Sequence, residues 1–119
     1  MAVVVLARYR NLTPEKYDDV ISSLELDANP PAGAILHVAA DGEGEVVVTE
    51  IWRTEQTFRA FHDFRFRPAL LLHAVEGEPH VEPHVEVSPL HNLFAVEMEL
   101  IERMGAVSLP ATFSGAALT

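Results

Sequence analysis

Histidine and tryptophan carry most of the chemistry open to this chain, because cysteine is absent. Disulfides, thiolate metal sites and cysteine nucleophiles are excluded, and nothing argues for an oxidising compartment. Trp52 is the only tryptophan and stands where a strand gives way to a helix. It is either a core aromatic anchoring that corner or one wall of a ligand cavity. His62 follows Phe61 directly and lies one helical turn beyond Phe58, so its titratable ring can point into an otherwise apolar space as a catalytic or ligand-orienting group. His37 on a strand and His73 near a helix end are weaker candidates, and His73 suits the negative end of a helix dipole. His80, Glu82, His84 and Glu86 alternate along one segment, so all four would project from one face, a geometry that a metal could use. The same segment repeats Glu-Pro-His-Val, which fits a polar edge face equally well, and no further ligand is well placed, so no metal is assigned. There is no Gly-x-Ser-x-Gly elbow for a serine nucleophile and no glycine loop to cradle phosphate, so no nucleotide cofactor is implied.

Composition narrows the partners. The 119 residues are 49% hydrophobic, enough for the core of one domain. Eighteen acidic residues against eight basic ones give a formal charge of −10, which repels nucleic acid and anionic lipid. No apolar run approaches the ~20 residues of a membrane span, and residues 1–6 lack the features of a secretory signal. A soluble protein of the cytoplasm is expected.

Hydrophobic periodicity supplies the elements that must position these residues. Residues 2–10 are rich in valine and read as a strand with two apolar faces. Thr13 and Pro14 open a helix, with Leu12 stapled to Tyr17 and with Tyr17, Val20, Ile21 and Leu24 on one stripe. Residues 29–33 form a turn, and residues 34–40 and 45–53 form a hairpin across Asp41-Gly42-Glu43-Gly44. Thr54 caps a second helix carrying Phe58, Phe61 and His62, which Pro68 kinks or restarts, with a shorter segment over 68–75. A final strand falls within 80–88, where Pro83 argues for a sheet edge. Leu93, Val96, Leu100 and Met104 suggest one more helix, followed by an uncharged stretch over 106–119.

The β-α-β-β-α-β order predicts a ferredoxin-like α+β fold over residues 1–94, with residues 95–119 as a helical arm and tail. Both helices then cover one face of the sheet, yet the strands are apolar on both sides, so a second copy of the chain is expected on the bare face. Covering ~800 Å² per subunit, a little over half of it apolar, contributes on the order of 10 kcal/mol or more per subunit at ~25 cal/mol per Å² of apolar surface, before the costs of association.

The run Glu50-Ile51-Trp52-Arg53-Thr54-Glu55-Gln56-Thr57-Phe58-Arg59-Ala60-Phe61, with Pro68-Ala69-Leu70 and the closing His91-Asn92-Leu93-Phe94, resembles the antibiotic-biosynthesis-monooxygenase-like family and is similar to its small actinobacterial members. The likeness spans roughly residues 2–94 and implies a dimeric α+β barrel. Members include oxygenases of polyketide-type aromatics that need no metal or flavin, haem-degrading enzymes, and proteins without known activity. The haem-degrading pattern is not met: Ala7, Arg8 and Tyr9 stand where an Asn is wanted, Phe61 where a Trp is wanted, and Leu71 where a His is wanted, with His73 two residues later. The resemblance therefore implies a homodimer that holds a small apolar or aromatic ligand between helices and sheet and oxygenates or rearranges it without a cofactor. Such chemistry needs a dry cavity, a base and an anion stabiliser. His62 is the expected base, Arg65 or Arg8 the expected stabiliser, and Trp52, Phe58 and Phe61 the walls, with His37 as a further ligand contact. The alternatives are a dimer that binds a ligand without chemistry and a structural module whose pocket is filled by its own aromatics.

Overall fold

A computed structural model describes residues 1–74, 78, 80 and 82–97. The elements are β1 (Val3–Arg10), α1 (Pro14–Leu24), β2 (Ala34–Asp41), β3 (Glu45–Trp52), α2 (Glu55–Phe61), a π-helical turn (His62–Phe66), α3 (Arg67–Leu72) and β4 (His84–Pro89). The four strands pair antiparallel in the order β2-β3-β1-β4. This is the expected ferredoxin-like α+β arrangement. No helix among the described residues is long and apolar enough to cross a membrane.

The local signals act as read. The Thr13 hydroxyl accepts the Lys16 amide at 3.2 Å, and Leu12 and Tyr17 are buried in one cluster with Val20 and Ile21. Thr54 accepts the Thr57 amide at 3.1 Å and so starts α2. Gly33 lies at φ 83° and its carbonyl accepts the Arg53 amide at 2.8 Å. A Cβ there would stand 2.5 Å from the Thr57 hydroxyl, so only glycine lets the start of β2 approach this corner.

The second helix departs from expectation. Pro68 does not simply kink it: the chain widens into a π-helical turn over His62–Phe66 and resumes as α3 with Pro68 early in it. Proline has no amide to give the carbonyl four residues back, and a wider turn makes room for its ring. That turn also keeps Phe58, His62 and Phe66 on the buried side at steps of four, where turns of 3.6 residues would rotate the stripe away. Phe64 faces outward instead, 81% exposed. The last strand is shorter than expected, beginning after Pro83, and it pairs only with β1, at the sheet edge. The expected helix over 93–104 lies mostly outside the described residues, and residues 93–97 carry no regular structure.

The helix-side face of the sheet presents Val3, Val5, Ala7 and Tyr9 from β1 and Val46, Val48, Glu50 and Trp52 from β3, packed against the helices. The opposite face carries Val4, Leu6, Leu36, Val38, Val47 and Ile51. Leu6 and Val38 remain exposed there, so the bare apolar face is present in the single chain.

Candidate functional site

Glu50 interrupts an inward row of apolar residues on β3, between Val48 and Trp52, and is only 6% exposed. A buried carboxylate is tolerated when donors surround it. Two are present: the Trp52 indole N–H donates to Oε1 at 3.2 Å, and His37 Nδ1 lies 2.5 Å from Oε2. The hairpin register sets His37 directly opposite Glu50, and α1 brings the Tyr17 hydroxyl onto His37 Nε2. Tyr17 is held well above the ordinary phenol pKa, first by burial, then by the charges of Glu50 and Asp18. Glu50 offers His37 Nδ1 acceptor oxygens, so a neutral imidazole carries its proton on Nδ1 and leaves Nε2 to accept from the Tyr17 hydroxyl, which burial keeps protonated. Tyr9 on β1 is raised in the same way, by burial and by Glu50.

The result is one hydrogen-bonded chain, Tyr17–His37–Glu50–Trp52, from helix to strand to core. A carboxylate that fixes an imidazole tautomer and would stabilise the imidazolium makes that imidazole a competent base. The chain also has an open end. The His37 side chain is 31% exposed, and Ala39 and Asp41, which share its side of β2, are exposed because the helices stop short of this edge.

Trp52, Phe58, Phe61 and His62 do come together. Trp52 meets Phe58 at 5.9 Å between centroids and Phe61 at 5.5 Å, and Phe61 meets Phe66 at 6.2 Å. These rings pack against one another between helix and sheet. His62 is buried between Phe58 and Phe66, with Nδ1 at 3.2 Å from the exposed Asp63 carboxylate. His37 joins this group through Glu50 and Trp52. Arg65 is drawn elsewhere: its guanidinium donates to the Leu24 and Asn29 carbonyls at 3.3 and 2.8 Å and lies over Phe61, tying the second helix to the end of α1. Arg8 is on the opposite face of the sheet, paired with Glu45 at 2.5 Å, and the sheet separates it from both histidines.

Among the described residues no three metal-binding side chains converge. Glu82 instead pairs with Arg67, which lowers its pKa, and with His80 at 3.3 Å, while His84 meets Glu86 at 3.2 Å. A shallow cleft of about 70 Å³ lies near the end of β1, lined by Tyr9, Leu12, Lys16, Leu70, His73 and His80. It is too small for a polycyclic ligand, which needs ~300 Å³ or more.

Tyr17 and Glu50 were not among the residues selected from sequence as functional. A signal for Glu50 exists in the hairpin: its pairs keep a constant sum of residue numbers from Asp41↔Val46 to His37↔Glu50. An acidic residue at an inward position of a valine-rich strand, opposite a histidine, is legible once that register is counted.

No family model and no curated protein matches the chain. Solved structures do. NE2512 of Nitrosomonas europaea, a protein of unknown function, is 22% identical, with a TM-score of 0.56 over 79% of this chain and 95% of that one. The ActVA-Orf6 monooxygenase of Streptomyces coelicolor, solved with nanaomycin D, is 13% identical, with a TM-score of 0.53 over 79% of this chain and 91% of that one. SnoaB of Streptomyces nogalater, a cofactor-independent oxygenase, is 14% identical, with a TM-score of 0.52 over 77% and 95%. The chain thus has the fold of the antibiotic-biosynthesis-monooxygenase-like proteins.

Proposed function

We propose that this protein is a small-molecule enzyme that oxygenates a hydroxylated, polyketide-type aromatic without a cofactor. The observation that carries the reading is the Tyr17–His37–Glu50–Trp52 chain, a carboxylate-backed imidazole at a half-open edge. The fold shared with oxygenases of such compounds supports it. His37 takes the role assigned from sequence to His62, because its carboxylate partner is buried and its ring is within reach of solvent. The acidic substrate loses a proton to His37, and the resulting anion passes one electron to dioxygen. The two radicals combine at carbon, and the hydroperoxide expels water to leave a quinone. One oxygen atom enters the product, the other leaves as water, and no external reductant is consumed. Trp52, Phe58, Phe61 and His62 form the apolar wall behind the base, and Arg65 lies beside Phe61.

The working form is a homodimer joined through the bare face around Leu6 and Val38. Sedimentation at micromolar concentration should give twice the 13.1 kDa chain mass, and a folded monomer would sink this part.

The enzymatic reading is tested with a hydroxyanthrone under labelled dioxygen. One labelled oxygen in the quinone is expected, with a loss of about 10²–10⁴ in rate for His37→Gln. No oxygen uptake above the uncatalysed rate, or full activity in His37→Gln, would overturn it. A second reading, a dimer that binds or assembles without chemistry, is favoured by the rings that pack against one another between helix and sheet.

A further inference from the structure

We infer that Tyr17 is a built-in ligand that caps the base of this site, so that the phenolic or enolic hydroxyl of a substrate must take its place on His37 Nε2 before it can be deprotonated. The inference rests on the reading of His37 as the base and adds the atom at which a substrate binds and the contact that restrains the resting site.

Three observations support it. Both imidazole nitrogens are occupied in the resting protein, Nδ1 by Glu50 and Nε2 by the Tyr17 hydroxyl, so no lone pair is free for an incoming acid. The group on Nε2 is itself a phenol: the two rings lie 6.0 Å apart between centroids and 7° from parallel. An aromatic hydroxyl arriving from outside would find an acceptor already shaped for that geometry. Finally, exposure rules out the simpler alternative, a relay in which substrate gives its proton to Tyr17. Tyr17 is 6% exposed whereas the His37 side chain is 31% exposed, so an approaching molecule meets the imidazole before the tyrosine. Exchange of one hydroxyl for another keeps the count of hydrogen bonds at Nε2 unchanged. Glu50 stays in place and stabilises the imidazolium once the substrate proton arrives. The charged or titratable groups around the exchange are Glu50 on β3, Tyr9 on β1 and Asp18 on α1.

The test uses 4-nitrophenol, whose absorbance changes when it loses its proton, with the full-length protein under nitrogen and buffered below the probe's own pKa. Tyr17→Phe should bind the probe about tenfold more tightly than wild type and hold it ionised. In a Tyr17→Phe background, His37→Gln should abolish the ionised signal. Equal or weaker binding to a folded Tyr17→Phe protein, or binding without ionisation, overturns the inference, and weaker binding is what a relay through Tyr17 would give. Should Tyr17→Phe fail to fold, the imidazole nitrogens of wild type are followed by magnetic resonance during the same titration. Movement of the His37 Nε2 resonance with loss of its hydrogen bond from the Tyr17 hydroxyl is expected, and an unperturbed His37 at saturating probe is refuting. Because oxygen is excluded, ionised binding in a protein that fails the labelled-dioxygen assay would uphold the cap and reject the oxygenase.

Discussion

His37 and His62 are both imidazoles beside a carboxylate, yet they are built for different work. His37 reaches across a strand pair to Glu50, which is buried and has a second donor in Trp52. His62 meets its own neighbour, Asp63, whose side chain is 56% exposed, and is otherwise enclosed by Phe58 and Phe66. Water screens the second pair through Asp63, whereas in the first it reaches the imidazole but hardly the Glu50 carboxylate. The contrast teaches that the burial of the partner, more than of the histidine itself, decides whether a carboxylate holds an imidazole in one place and orientation.

The comparison breaks most readily at Glu50. Glu50→Ala leaves the Trp52 indole N–H and His37 Nδ1–H without their acceptor and opens a gap in the core, so a loss of about 3 kcal/mol in denaturant unfolding is expected. A loss below ~1 kcal/mol would show that water replaces the carboxylate without difficulty. His62→Ala should cost about 2 kcal/mol, since a ring that is only 8% exposed packs against two phenylalanines, with turnover per folded molecule retained. A stable but inactive His62→Ala protein would return the base to His62.

Tyr17→Phe removes one hydrogen bond and keeps the packing, so about 1 kcal/mol is lost near neutral pH. The same variant has a signature in alkali. The chain has two tyrosines, Tyr9 and Tyr17, and burial together with the Glu50 charge raises both above the ordinary phenol pKa. Their contribution to stability is complete below pH 10 and is lost as pH rises toward the folded values, because only the unfolded chain releases those protons. Stability should therefore fall above pH 10 by about 1.4 kcal/mol per pH unit for each tyrosine, and Tyr17→Phe should halve that slope. Equal slopes in the two proteins would place Tyr17 in a solvated site. Asp63→Asn is the smallest effect: an exposed partner should change stability by less than ~0.5 kcal/mol and leave activity as it was. A larger change would mean that the His62–Asp63 contact couples as His37–Glu50 does.

Much of this molecule was legible before its structure. The caps Thr13 and Thr54, the staple of Leu12 and Tyr17, the hairpin and the element order all follow from local chemistry, where a residue's neighbours in sequence are also its neighbours in space. The π-helical turn was not, because it answers both the Pro68 ring and the need to keep Phe58, His62 and Phe66 on one buried side. Among the candidate residues, helical spacing put Phe58, Phe61 and His62 on one stripe, and the structure brings Phe58 and Phe61 against Trp52 and His62 against Phe58. Arg8 and Arg65 were chosen for charge alone, and charge does not say which side of a sheet a residue faces or which carbonyls lie within reach.

Sequence by itself therefore determined the order and kind of the elements and the apolar character of both sheet faces. The tertiary structure alone decided that Tyr17, twenty residues from His37, would cap the His37–Glu50 pair, and that Phe58 and Phe61 would gather on Trp52. The physical reason is range. Backbone hydrogen bonding and periodicity act over a few residues and are written in order along the chain. The meeting of α1 with β2, and of the second helix with Trp52, is set by how whole faces pack, which no local pattern records.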